Sequence, residues 1–125
     1  MVKGIEHIAI AARDTATLKD WYARLFDFKQ VYDNGKGTYF LKAQDGSMIE
    51  FVIATDETAR SSEKALGIRH LAIAVDDFEG MVDILTKENV EVVTAPVVAP
   101  NGIKTFFFRD PEGNILHLIS RPQPL

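Results

Sequence analysis

Four side chains in this sequence are suited to binding a metal ion or moving a proton, and each lies in an apolar run. His7 stands in "GIEHIAIA", His70 in "GIRHLAIA", Glu50 in "MIEFVI" and His117 in "NILHLIS". A lone imidazole in an apolar strand is ordinarily a hydrogen-bonded core residue. Residue type alone therefore decides nothing, and the chemistry comes from the spacing. Residues 4–11 and 67–74 are identical at six of eight positions and differ at Glu6/Arg69 and Ile8/Leu71. Further along, "TYFLKAQDGSMIEFVI" from Thr38 aligns with "TFFFRDPEGNILHLIS" from Thr105. The first pair of segments is shifted by 63 residues and the second by 67, which places a four-residue insertion in a loop of the second copy. His7 thus corresponds to His70, and Glu50 to His117. These four positions take up all three histidines of the chain.

Three imidazoles and one carboxylate make a nitrogen and oxygen donor set for one divalent ion, Zn, Ni, Co, Fe or Mn, among which affinity order alone does not choose. An open position holding water would make such a site catalytic. The chain has no cysteine, which excludes a thiolate site and a disulfide framework. Glu50 is the one acidic member, and an unpaired carboxylate in "MIEFVI" is costly to bury without a cation or a set of donors. On the residues alone a second reading stays open, in which Glu50 and the histidines form a hydrogen-bonded polar cluster inside the core.

The elements that must position these residues are legible in both copies. The opening strands alternate, with Ile5, His7, Ala9 and Ala11 on one side and Ile8 and Ile10 on the other. His70, Ala72 and Ala74 repeat the first set. Small residues beside each histidine leave space that side chains do not fill. A helix follows in each copy: Leu18, Trp21, Tyr22, Leu25 and Phe26 recur at helical spacing, as do Phe78, Met81, Val82 and Leu85, and both stripes are expected in the core. Asp14 or Thr15 is the expected N-cap of the first helix, and Asp76 with Glu79 has the spacing of a capping box at the second. Three strands complete each copy, over 29–32, 38–42 and 48–53 in the first and 91–97, 104–109 and 115–120 in the second, joined by turns at "DNGKG", "QDGS", "APNG" and "DPEGN". Tyr39 and Phe106 occupy matching positions and are expected to pack in the core. Lys42 and Arg109, which also match, are expected to face water, as is Arg13 at the end of the opening strand.

The expected class is therefore α+β, two paired βαβββ modules whose mixed sheets form a concave surface around a central metal or ligand cavity. We expect a single domain over 1–125, with modules at about 4–54 and 67–121 and the polar segment "TDETARSSEKAL" as an exposed linker over 55–66. A chain of this length is of ordinary one-domain size. With 14 Lys and Arg against 18 Asp and Glu, a net charge of −4 and no basic cluster, nucleic acid and anionic membrane are poor partners. No apolar run approaches signal or membrane-spanning length, so the expectation is a cytoplasmic protein acting on a small molecule.

These features together resemble the vicinal oxygen chelate superfamily, which includes glyoxalase I, methylmalonyl-CoA epimerase, fosfomycin-resistance proteins, extradiol dioxygenases and bleomycin-binding proteins. The resemblance covers residues 4–120 and rests on the paired modules, on "GIEHIAIAARD" and "GIRHLAIAVDD", and on "FFFRDPEGNILHL". It implies that His7 and His70 match the opening-strand metal ligands and that Glu50 and His117 match the closing-strand ligands. It also implies a glyoxalase-like lyase, isomerase or epimerase that passes through an enolate-like intermediate, and a homodimer with its site within one chain or shared between two. Two positions depart from the pattern. Most metal-dependent members carry Glu where this chain has His117, so proton abstraction falls to Glu50 or to a metal-bound hydroxide. Glyoxalase I carries an Arg shortly after the first histidine, where this chain has Ala11, which disfavours a glutathione substrate. The alternatives are a metal-free protein that sequesters an antibiotic or other small molecule, and an Fe(II) dioxygenase.

Overall fold

The computed structural model describes residues 1–125, and the repeat read from the sequence returns as two compact units, Met1–Thr58 and Ala59–Leu125. The first unit runs β1 (His7–Ala12), α1 (Thr15–Phe26), β2 (Lys29–Asp33), β3 (Tyr39–Lys42) and β4 (Met48–Ile53). The second runs β5 (Leu71–Ala74), α2 (Phe78–Lys87), β6 (Glu91–Val98), β7 (Lys104–Arg109) and β8 (Ile115–Ser120). Each unit is a four-stranded mixed sheet, ordered β1-β4-β3-β2 in the first and β5-β8-β7-β6 in the second. The opening strand lies parallel to the closing strand, and the other pairs are antiparallel. A helix must intervene before the chain can return for the parallel pairing, and α1 and α2 supply that crossover. The architecture is the expected α+β pair of βαβββ modules.

Both helices turn the stripes that the periodicity marks inward, although Phe26, Met81 and Val82 are only half-buried. In α1, Leu18, Trp21, Tyr22 and Leu25 are buried, against a sheet face that includes Ala12, Leu41, Ile49 and Phe51. In the second unit Phe78 and Leu85 are buried, as are Phe106, Phe108, Leu116 and Leu118 on the sheet. Tyr39 and Phe106 lie on this helix-facing side, as expected of core residues: Tyr39 is half-buried under the Lys19 ammonium, and Phe106 is stacked on Phe108. Asp14 caps α1 by accepting from Thr17 N–H at 3.0 Å. At α2 the expected capping box is not formed, and the cap lies one residue on. Asp77, not Asp76, is the N-cap and accepts from Gly80 N–H at 3.0 Å, while Glu79 accepts from Lys104 Nζ at 2.5 Å. A side chain at position 80 would place its Cβ 2.1 Å from the Asp77 carboxylate, so the glycine is what lets the cap close.

The turns follow their residue chemistry. In "DPEGN" the buried Asp110 carboxylate accepts from Glu112 N–H, Asn114 N–H and Asn114 Nδ2, and Gly113 takes φ +91°, so this motif is explained as a turn. The segment from β4 to β5 contains no helix or strand. Ion pairs hold each part of it within its own unit: Arg13 to Glu57 in the first, and Arg109 to Glu63 at 3.9 Å in the second. Arg109 is therefore not a freely solvated residue as expected; it also donates to Gly113 O at 2.9 Å and meets Glu91 at 3.7 Å. No helix is long and apolar enough to cross a membrane.

Candidate functional site

Strand parity decides which residues share the sheet face opposite the helix. In the first unit Ala9 pairs with Glu50 and Phe40 pairs with Glu50, so His7, Ala9, Phe40 and Glu50 stand on that face. In the second, Ala72 and Phe107 flank His117 in the same way. His70 immediately precedes β5 rather than lying within it, so its ring is positioned by neighbours more than by the ladder.

The structure brings the four predicted residues together as two pairs. His7 Nε2 faces Glu50 Oε1 at 3.6 Å. His7 Nδ1 donates to Glu6 Oε1 at 2.9 Å, because a carboxylate can only accept. Nε2 is then the ring nitrogen turned to the Glu50 oxygen, a gap that either a proton on Nε2 or a bound cation fills. In the second unit His70 and His117 stand with ring centroids 4.5 Å apart. His117 is 7% exposed, and its Nδ1 is buried with no hydrogen-bond partner, which is costly for an imidazole nitrogen. Burial holds the His117 pKa down, to about 4, and the neighbouring His70, Arg69 and Arg121 add to the effect. Burial, then the Arg69 charge, also lowers that of His70. Both rings are thus held neutral at pH 7, the form that ligates a metal.

Sequence reasoning missed four contributors around these histidines. Phe40 packs edge-on against His7 at 5.1 Å, and Phe107 contacts both His70 and His117 at 5.6 and 4.2 Å. These two correspond to each other in the repeat and lie one residue beyond Tyr39 and Phe106, so parity counted from Glu50 and His117 would have found them. The other two, Glu6 and Arg69, stand before the opening histidines, at one of only two positions where the opening repeat differs. Glu6 accepts from His7, but Arg69 Nη1 lies 3.2 Å from His70 Nδ1. A guanidinium can only donate, so His70 Nδ1 is the acceptor and its proton sits on Nε2.

The donor types suit a divalent ion: in the first unit the His7 ring and the Glu50 carboxylate, in the second the His70 and His117 imidazoles, where the orphaned His117 nitrogen is an atom such a group would satisfy. Neither unit alone gathers three His, Asp or Glu side chains able to hold one ion.

Comparison with known proteins places the chain in a family. The model of the Glyoxalase/Bleomycin resistance protein/Dioxygenase superfamily matches residues 4–118. The chain belongs to that superfamily. Among curated relatives, the uncharacterised protein YaeR of Escherichia coli strain K12 is 35% identical over 125 residues, which span 94% of this chain and 95% of that one. Two solved structures share the fold of this superfamily member at lower identity. The lactoylglutathione lyase of Agrobacterium tumefaciens has a TM-score of 0.72 at 19% identity, covering 95% of this chain and 94% of that one. The genomically encoded fosfomycin resistance protein FosX of Listeria monocytogenes has a TM-score of 0.78 at 15% identity, covering 96% and 94%.

Proposed function

We propose that this superfamily member is a metal-dependent, glyoxalase-like enzyme, a lyase, isomerase or epimerase for a small substrate with two neighbouring oxygens, and that His7, Glu50, His70 and His117 hold one divalent ion. The observation that carries the reading is the facing of His7 Nε2 and Glu50 Oε1 at 3.6 Å with Glu6 on the far side of the ring. A divalent ion bound there supplies positive charge where charge builds on the substrate oxygens as a proton is lost. The identity of the metal follows from neither residue type nor position.

The chain's own residues account for the rest. Glu50 is the carboxylate of the set, and on leaving the ion its oxygens can accept a proton from a carbon beside a carbonyl and return it to a neighbouring atom. His117 stands where most metal-dependent relatives carry a second carboxylate, and its low pKa makes it a poor base. Phe40 packs on His7 in the first unit and Phe107 on His70 and His117 in the second, so each pair has an aromatic neighbour that orients its rings. Substitution Glu50→Gln keeps the shape and removes the base. It should abolish turnover in a screen of small hydroxy- and oxo-compounds with metal-loaded protein, and undiminished turnover would refute the assignment.

One observation favours a second reading, a metal-free binding protein: Arg69 occupies the His70 nitrogen that would have to carry the proton if Nε2 took a metal. A binder protects against a compound in stoichiometric amounts without consuming it, whereas an enzyme turns it over. We propose a homodimer for either reading, checked by sizing across a dilution series.

A further inference from the structure

Arg69 carries a charge that nothing around it answers. No carboxylate pairs with it in the ion pairs of the second unit, and its Nε is buried without a hydrogen-bond partner. Its Nη1 is turned to a neutral imidazole, His70, at 3.2 Å, and its guanidinium lies 5.3 Å above the Phe107 ring. An unpaired buried guanidinium N–H is costly, and stacking on an aromatic face fixes the plane of the group without supplying an acceptor. His117 adds a second orphaned nitrogen to the same cluster, in a side chain only 7% exposed. Arg69, His70, His117 and Phe107 thus form a cationic, ring-walled cluster that lacks an anion.

We infer that Arg69 recognises a compact oxyanion, a carboxylate, phosphonate or phosphate group of the substrate, through its guanidinium, which no carboxylate of the chain neutralises. The planar fork of a guanidinium matches two oxygens of such a group, which a lysine ammonium does not. The inference rests on the proposed function and narrows its substrate class to small acids whose chelating oxygens lie close to the anionic group. The repeat sharpens it. At the equivalent position the first unit carries Glu6, which orients its histidine, so the two halves of one motif are divided between holding a ring and holding an anion.

The test uses the full chain stripped of metal with a chelator, so that it does not depend on metal loading. Malonate and inorganic phosphate are titrated calorimetrically into wild type, Arg69→Lys and Arg69→Gln, each checked for folding by thermal melt. We expect wild type to bind at least one probe, and Arg69→Gln to weaken that binding roughly tenfold or more, the scale of a lost charged hydrogen bond. Arg69→Lys, which keeps the charge but not the fork, should fall between them. The stronger of the two probes identifies the anion as carboxylate or phosphate. Failure of wild type to bind either probe, or equal binding by Arg69→Gln, overturns the inference. Metal content of the same preparations before stripping reports separately on the proposed function: anion binding without metal would sink that reading alone, and metal without anion binding would sink this one alone.

Discussion

At the scale of single residues, the neighbours of the histidines carry as much of the account as the histidines themselves. Glu6 fixes the tautomer of His7, and orienting partners of this kind typically matter tenfold to a hundredfold in metal affinity. Since Glu6 is largely exposed, Glu6→Ala should weaken metal binding roughly tenfold, the lower end of that range, as measured by competition with a chromogenic chelator. His117 offers a test by pH. Its folded pKa of about 4 lies below the ordinary histidine value of 6.5 because burial disfavours the charged ring. The unfolded chain therefore takes up its proton first as pH falls, so stability is full above 6.5 and drains away between there and 4. Metal-free wild type should lose on the order of 1–2 kcal/mol between pH 7 and pH 5 from this group, and His117→Gln should lose correspondingly less in urea melts at the two pH values. Parallel losses in the two proteins would show that the ring is not held neutral by the fold.

At the scale of elements, the helix caps give a prediction in which adjacent aspartates behave differently. Asp77→Ala should cost about 1 kcal/mol, the worth of an N-cap side chain, while Asp76→Ala should be close to neutral by thermal melt. The sequence suggested Asp76 because Glu79 stands three residues on; it did not show that Lys104, distant in sequence, draws Glu79 away from the cap. Most other boundaries were legible within a residue or so, since alternation and turn residues settle strands at 29–33, 48–53, 104–109 and 115–120. The opening strands were shorter than the repeat implied: the ladder begins only at His7 and Leu71, although identity in the repeat begins at Gly4 and Gly67. Repetition reports a shared position, not a shared hydrogen bond. The same limit explains Phe40 and Phe107, whose place beside the histidines follows from antiparallel register, and Arg69, whose missing partner is visible only once the surrounding side chains are in place.

At the scale of the whole molecule, the chain is a repeated βαβββ module of the glyoxalase superfamily whose two copies differ at the polar positions. The first copy holds an acid pair around a histidine. The second holds two neutral histidines beside an arginine. One divalent ion served by both pairs is the central claim, and metal content tests it most directly. Wild type equilibrated in turn with Zn, Ni, Co, Mn and Fe(II), then desalted, should retain about one ion of at least one metal per chain. Retention should fall to a small fraction in Glu50→Ala and His117→Ala, which come from different copies. Retention of no metal by wild type, or loss in the variant of one copy with none in the other, would contradict it.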